Sequence, residues 1–384
     1  MVVKGRGPLA GVRVVELAGL GPAPFCGMML ADMGAEIIRV DRTGPPAWGI
    51  GDILGRGRRS IAVDLKKPGA SDIVLRLVAG ADALIEGYRP GVMERLGLGP
   101  EQCLAANSRL VYGRMTGWGQ EGPLASAPGH DLNYLALSGM LWPIGSADRP
   151  PPPPLNLIGD FGGGGMMLAL GLLAGIIHAR ATGKGQVVDA AMVDGAAVLG
   201  TMVFGLLAAG SWNIQREANW LDGAAPFYGV YECSDGKYVS IGSMEPQFYA
   251  ALLANLDLTE ERFRDQWDQS MWPDLKAILV NRFRSKPRDE WAALLEGSDV
   301  CFAPVLDPLE AMQHRHNLAR GAFVRSDDGH LPRPAPRFSE TPTAIPRRAS
   351  AIGDDTVAIL QQAGLSGEAI RAAFDAGIVG GRAP

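Results

Sequence analysis

The chain has 384 residues, of which 47% are hydrophobic and 20% charged, with 51 Gly and 28 Pro spread without a repeating period. That length predicts two domains and a sizeable core, and the composition excludes wholesale disorder and a collagen-like fibre. A net charge of −5 and a pI near 5.6 exclude a general nucleic-acid binder, whose footprint is a basic excess.

Residues 12–17 read as a buried strand, Gly19-Leu20-Gly21 as a turn, 22–33 as a helix and 35–40 as a second strand, a βαβ opening. The opening imitates a dinucleotide-binding fold, down to Asp41 after the second strand. Pro24 nevertheless fills the third glycine position of GxGxxG, so no nicotinamide cofactor is expected. A P-loop fails as well, because Gly183-Lys184 would need glycine where His178 stands and a hydroxyl where Gly185 stands.

Between Arg39 and Lys67 seven basic residues (Arg39, Arg42, Arg56, Arg58, Arg59, Lys66, Lys67) outnumber three acidic ones (Asp41, Asp52, Asp64), a local balance of +4. In an acidic chain this stretch is either a seat for a phosphorylated ligand, which arginine forks and lysine point charges would hold, or a solvated face. A further strand at 83–86 runs into GYRPGVMERLGLG. Arg89 and Arg95 therefore follow a strand's carboxyl end, where open α/β sheets bind their ligands.

Residues 129–165 open GHDLNYLALSG, cross a proline run from Pro150 to Pro154 and close LNLIGDFGGGG. They bring together one imidazole, His130, and two carboxylates, Asp131 and Asp160, an acid/base set without a metal set. Asp160 lies just before four glycines and an apolar helix expected at 166–179. A carboxylate there feels unpaired helix N–H groups, and glycines admit a ligand close to the backbone. The same position suits a plain helix cap, and both readings stand. His130 is open to a structural reading too. Asp131 points away from its neighbour His130 on either a strand or a helix and fits a local hydrogen-bonding residue.

Farther on, a turn at 183–185, a short strand at 186–190 and a helix at 191–209 close a large domain spanning 1–210. A linker at 211–227 leads to a hairpin at 228–241 about Ser234-Asp235-Gly236. The hairpin opens a small α+β domain, 228–330, with helices at 245–256, 274–283 and 289–296 and a strand at 303–306. Proline recurs five times between Leu331 and Arg347, so 331–384 reads as an extended strap ending in helices at 354–364 and 368–376.

The four cysteines Cys26, Cys103, Cys233 and Cys301 form no CxxC, which fits a reducing cytoplasm, and neither MVVKGRGPLAG nor the closing GRAP reads as a targeting address. The longest apolar runs, 166–177 and 196–210, fall short of the roughly 20 residues that span a bilayer, so no membrane partner is expected. His314, His316 and His330 lack companion ligands, so no metal is expected.

Several motifs together carry a resemblance: GVRVVELAGLGPAPF, LIEGYRPGVMERLGLGP, RMTGWGQEGP, GHDLNYLALSG, PLNLIGDFGGGG, GKGQVVDAAMVDG, NWLDGAAPFYGVYECSDG and MEPQFYAAL. Spread over nearly the whole chain, they resemble the family III coenzyme A transferases. Within that family they resemble the 2-methylacyl-CoA racemases, whose His/Asp pair matches His130 and Asp160, whereas the transferases rely on a nucleophilic Asp. The resemblance implies an α/β fold with a Rossmann-like, open, mostly parallel sheet in the large domain and a small α+β domain. It implies an interlocked homodimer with shared active sites, the C-terminal segment returning to the large domain.

The resemblance also implies that CoA lies across Arg42, Val63, Asp64, Leu65, Lys66, Gly87, Tyr88, Arg89 and Arg95, with Gly129, Leu132, Asn133 and Tyr134 near the thioester. His130, Asp160 and Asp131 form the catalytic group, and Glu245 of the partner subunit orients the ring of His130. Read alone, Glu245 is a helix N-terminal carboxylate. The activity implied is inversion at the α-carbon of a 2-methyl-branched acyl-CoA by proton removal and return on opposite faces. Backbone N–H groups near Asp160 and the glycines would hold the enolate. No cofactor beyond the substrate's CoA is implied. CoA transfer through an Asp160 adduct is the alternative reaction, and an acyl-CoA binding protein the non-enzymatic one. An apolar, Met-rich pocket admits sterol side-chain, branched fatty and arylpropionyl thioesters alike.

Overall fold

The computed structural model of the protein describes residues 7–44, 53–326, 329–344 and 347–383. Its strands are β1 (Arg13–Leu17), β2 (Glu36–Asp41), β3 (Arg58–Val63), β4 (Ala83–Glu86), β5 (Val111–Thr116), β6 (Gln186–Ala191), β7 (Tyr228–Glu232), β8 (Tyr238–Gly242), β9 (Phe302–Val305), β10 (Phe323–Ser326), β11 (Gly329–Pro332) and β12 (Val379–Gly380). The helices begin with α1 (Pro22–Asp32), α2 (Ala70–Ala79), α3 (Val92–Arg95), α4 (Pro100–Ala106) and α5 (Asp131–Leu137). A π-helical stretch, Leu157–Met166, then runs on as α6 (Met167–Thr182), followed by α7 (Met192–Leu199) and α8 (Thr201–Ala208). The rest are α9 (Pro246–Asn255), α10 (Trp272–Phe283), α11 (Arg288–Leu295), α12 (Pro308–Gln313), α13 (Arg315–Arg320), α14 (Thr356–Gln362) and α15 (Gly367–Asp375).

The chain divides into two compact units, one of residues 1–138, 153–200 and 324–384, the other of 139–152 and 201–323. The first holds a seven-stranded sheet of order β12-β3-β2-β1-β4-β5-β6, in which β1 to β6 run parallel and β12 pairs antiparallel with β3. A parallel sheet is covered on both faces, and successive side chains of a strand go to opposite sides. Accordingly Val15 packs with Ile38, Leu84, Leu77 of α2 and Ile359 of α14, while its neighbour Val14 packs with Ile37, Ile85, Leu30 of α1 and Leu172 of α6. This is the Rossmann-like, mostly parallel sheet that the resemblance implied.

The second unit is built on the antiparallel sheet β7-β8-β9. Gly236, at φ 75°, makes the turn between β7 and β8. Tyr231, Val239 and Ile241 face a core with Leu252, Leu279, Phe283 and Trp291, and the Trp291 indole N–H donates to the Phe283 carbonyl at 2.8 Å.

Four expectations change. The apolar helix is not confined to 166–179: one continuous helix runs Leu157–Thr182, 26 residues, so it is long and apolar enough by length and composition to cross a bilayer. Its inward residues Leu168, Leu172 and Ile176 nevertheless pack against the sheet. The helix expected at 191–209 breaks at Gly200, where the two units divide. Strands β3 and β5 appear where none was expected. β5 carries Gly113 because a Cβ there would lie 2.9 Å from the methyls of Leu168 and Leu172.

Most of the basic stretch is also used up internally. Arg58 pairs with Glu16 at 2.8 Å with neither side chain exposed, Arg39 pairs with Asp41 at 3.0 Å, Arg59 with Glu36 at 2.7 Å, and Arg56 with Asp32. Asp52 lies outside the described residues.

Candidate active site

Parallel strands end at one edge of their sheet, so the loops after them gather there. This edge receives Gly19 to Gly21 after β1, Arg42 after β2, Asp64, Leu65 and Lys66 after β3, Gly87, Tyr88 and Arg89 after β4, and Gly117 to Gln120 after β5. Strand order reverses between β1 and β4, where loops on either side part to leave a crevice. The loop after β4 lies against the start of α1, which follows β1, since a Cβ on Gly87 would lie 3.4 Å from the Ala23 methyl.

Asp160 lies within the π-helical turns, with Asn156 at the cap position, so it is not the helix cap that its place in the sequence allowed. π-Helical turns recur at functional sites because they re-aim side chains out of the regular register. The Asn156 side-chain amide donates to Asp160 Oδ2 at 3.3 Å, and the Asp160 N–H donates to Asp131 Oδ2 at 2.6 Å. Asp131 is buried at the first position of α5. Its carboxylate reaches the main chain only because residue 159 is glycine, for a Cβ there would sit 2.8 Å from Asp131 Oδ2. Asp160 Oδ2 in turn lies against Gly21, where a Cβ would approach to 3.2 Å and φ is 67°. Burial pushes the Asp160 carboxyl above the ordinary carboxylate range, and Asp131 adds to the rise; the Asn156 hydrogen bond and His130 oppose it.

His130 is exposed in extended backbone just before α5, and its N–H donates to Asn133 Oδ1 at 3.0 Å. Asn133 therefore helps cap the helix start, and His130 stays exposed there. Tyr134 is buried, with Trp118 edge-on to its ring at 4.7 Å. Gly117 and Gly129 give it room, since a Cβ on them would fall 2.1 and 2.8 Å from the ring. Burial raises the Tyr134 phenol, Asp160 adds to the rise, and Arg89 opposes it. One end of the first unit thus gathers His130, Asp131, Asp160, Gly129, Asn133, Tyr134 and Arg89, with Leu132 exposed on α5.

The glycine run serves packing. A Cβ on Gly163 would lie 2.6 Å from the Ala196 nitrogen of α7, and one on Gly165 2.7 Å from the Pro22 carbonyl oxygen of α1. These glycines admit two helices, and no ligand is needed to explain them. The Asp160 N–H is likewise occupied, so neither group is free to hold an enolate.

Arg42, Lys66, Arg89 and Arg95 are exposed and make no ion pair among the described residues. Val63 is buried in β3, and the Asp64 carboxylate accepts the Lys66 N–H at 3.1 Å. Burial and then Glu86 raise the Tyr88 phenol, which Arg42 opposes, so Arg42 and Tyr88 are neighbours. Glu245 belongs to the second unit, exposed at the start of α9, where it adds to the effect of burial in raising the Cys301 thiol.

Sequence reasoning passed over Asn156, Gly21 and Trp118. Asn156 and Asp160 stand at i, i+4, a spacing that brings side chains together on a helix, but no helix was expected there. Gly21 was weighed only against the dinucleotide pattern.

Over residues 9–356 the sequence matches the model of CoA-transferase family III. The chain belongs to that family. It is 46% identical over 366 residues to alpha-methylacyl-CoA racemase of Mus musculus, covering 94% of this chain and 95% of that protein. It is 44% identical over 367 residues to the Homo sapiens protein of the same name, with coverage of 94% and 95%. A solved CAIB/BAIF family protein from Brucella suis superposes with a TM-score of 0.80 at 27% identity, covering 93% of this chain and all of that one (100%). In this family III chain, the exposed arginines and the His130–Asp160 end share one edge of the sheet.

Proposed function

We propose that the protein interconverts the two α-configurations of a 2-methyl-branched acyl-CoA thioester. The observation that carries the reading is Asp160, a desolvated carboxyl raised above its ordinary range and lying within the field of His130. A carboxyl raised in this way holds a proton more readily than an ordinary one, which suits a proton-transfer site. His130 and Asp160 serve as the two bases, one on each face of the α-carbon. Asp131 fixes the main chain at Asp160. The N–H groups of Asp131 and Leu132 find no acceptor among the described residues and are the donors left for the enolate oxygen. Arg42, Lys66, Arg89 and Arg95 bind the phosphates of CoA. The two named racemases support this choice of reaction over others in the family.

The family reading also includes CoA transfer, as in acetyl-CoA:oxalate CoA-transferase of Acetobacter aceti, 31% identical over 86% of this chain. In that reaction Asp160 would attack the thioester and carry an acyl or CoA adduct. Incubation of one enantiomer of a 2-methylacyl-CoA in deuterated water separates the two. Racemisation with uptake of α-deuterium and no adduct trapped by hydroxylamine is the expected result. A trapped adduct at Asp160 with CoA passed to a free acid would overturn it.

The reading includes no cofactor beyond the substrate's CoA, a cytoplasmic location without membrane attachment, and a homodimer whose sites use both chains. Exposed Leu170 and Ile177 on α6 are apolar surface that such a partner would cover. Glu245 of the partner subunit would then orient His130. Co-refolding His130→Ala with Glu245→Ala chains should recover about a quarter of the sites by random pairing. No recovery would place Glu245 in the same chain's site or outside it.

A further inference from the structure

RMTGWGQEGP contributes Trp118 to the site, yet nothing above uses the arginine with which it begins. Arg114 stands on β5 with its side chain 11% exposed. Its guanidinium reaches three separate segments. Nη1 donates to Gln120 Oε1 at 2.7 Å, Nη2 pairs with Glu94, and Nε lies 3.7 Å from Glu86 Oε1. Each partner belongs to a different part of the site. Glu86 ends β4, and its other oxygen accepts the Tyr88 N–H at 2.8 Å, which holds the turn of residues 87–89. Glu94 immediately precedes Arg95 on α3. Gln120 closes the loop 117–120, whose Trp118 lies edge-on to Tyr134 and whose Gly119 N–H is held by Thr116 Oγ1 at 3.0 Å.

We propose that Arg114 is a positioning residue for the thioester site, its guanidinium fastening the CoA-side turn 87–89 and helix α3 to the acyl-side loop 117–120. The proposal rests on the acyl-CoA reading above. A planar fork hydrogen-bonds Gln120 and Glu94 at once while its buried Nε, which makes no hydrogen bond among the described residues, keeps the charge 3.7 Å from Glu86, and a lysine ammonium does not reproduce that geometry. The phosphate-binding arginines and the proton-transfer end lie on separate loops, so their spacing is only as good as the link between them. A displacement of about 1 Å at a reacting centre is enough to cost a large factor in rate.

The surroundings of Glu86 agree. Burial raises its carboxyl to about 7, opposed by the Tyr88 N–H and by Arg114, while Glu94 from α3 and Asp189 from β6 push it further up. Tyr112 of β5 also lies within its field. Arg114 opposes the rise at Glu86 from 3.7 Å.

The test uses the full-length chain, with CoA binding by calorimetry and racemisation measured side by side. Glu94→Gln and Gln120→Ala change half-exposed positions, while Arg114→Lys changes the hub. Glu94→Gln should weaken CoA binding and raise KM roughly 2- to 30-fold with kcat unchanged. Gln120→Ala should lower kcat by a similar factor with CoA affinity unchanged, and Arg114→Lys should do both. If Glu94→Gln and Gln120→Ala alter the same constant, or Arg114→Lys keeps both constants, the positioning role is overturned. A wild-type chain that binds CoA without exchanging the α-hydrogen would overturn the racemase reading alone, since the loss of CoA affinity in Glu94→Gln still stands. Wild-type racemisation with unaltered CoA affinity in Glu94→Gln would overturn the positioning role alone. No CoA binding by the wild-type chain overturns both.

Discussion

Arg58 and Arg42 come from the same basic stretch and meet opposite fates. Arg58 is sealed against Glu16 with neither side chain exposed, and its guanidinium also bonds the Pro24 carbonyl. Arg42 stands exposed where β2 ends, without an ion pair among the described residues. The carboxylates divide in the same way: Glu16 is matched by a cation, while Asp160 is held by hydrogen bonds and raised by burial. Charges within the strands are consumed by the fold, whereas charges beyond their carboxyl ends remain available to a ligand.

If that division is sound, its two sides fail differently. Asp160→Asn should slow racemisation by roughly 10²- to 10⁴-fold. It should not lower stability at neutral pH, because a raised carboxyl pKa means that the folded state resists the ionised form. Steady-state rates and thermal melts together check this. Arg58→Met should do the reverse, costing about 3–5 kcal/mol in urea unfolding by leaving Glu16 buried without a partner. Glu16→Gln in the same chain should recover part of that loss. Equal effects on stability at the two positions would break the comparison.

Glu86 sits between these extremes, buried at a strand end. The folded chain keeps its proton up to about 7. The unfolded chain gives it up in the ordinary carboxylate range, so stability should fall as pH rises between those limits, by up to about 3 kcal/mol. Glu86→Gln should flatten this slope in unfolding measured from pH 4 to 8. A slope that persists would assign the proton elsewhere. The smallest effect is expected at the open arginines. Arg42→Ala or Arg95→Ala should raise KM for the thioester roughly ten-fold, with kcat and melting temperature unchanged. An unchanged KM in both would return the stretch to a solvated face.

The sequence made the alternation of β1, α1 and β2 legible because Val14, Val15 and Leu17, then Ile37, Ile38 and Val40, give each strand an apolar run around Glu16 and Arg39. It hid β3, which opens Arg58-Arg59 and reads as surface until Glu16 and Glu36 are placed beside it. It hid β5 for a similar reason, since Gly113 and Arg114 interrupt the apolar run and their purpose lies in residues distant along the chain. His130 and Asp160 could be picked out by residue type, but the link through Asp131 could not, because it depends on a glycine at 159 and a π-helical turn. The glycines at 163 and 165 were visible and misread. Packing against α1 and α7 leaves the same mark in a sequence as room for a ligand.

The pairing of β12 with β3, in which Val379 sits opposite Val63 and Thr356 bridges the Ala62 N–H and the Gly380 carbonyl, bears on how the protein is made. On the ribosome β3 emerges early, and the strand that covers its outer edge emerges only after the second unit has been translated. Until then the nascent sheet presents an open hydrogen-bonding edge, the kind of surface that recruits other chains. The step that finishes the large sheet therefore waits on the making of the second unit, and residues 353–380 act as the closing clasp of biosynthesis.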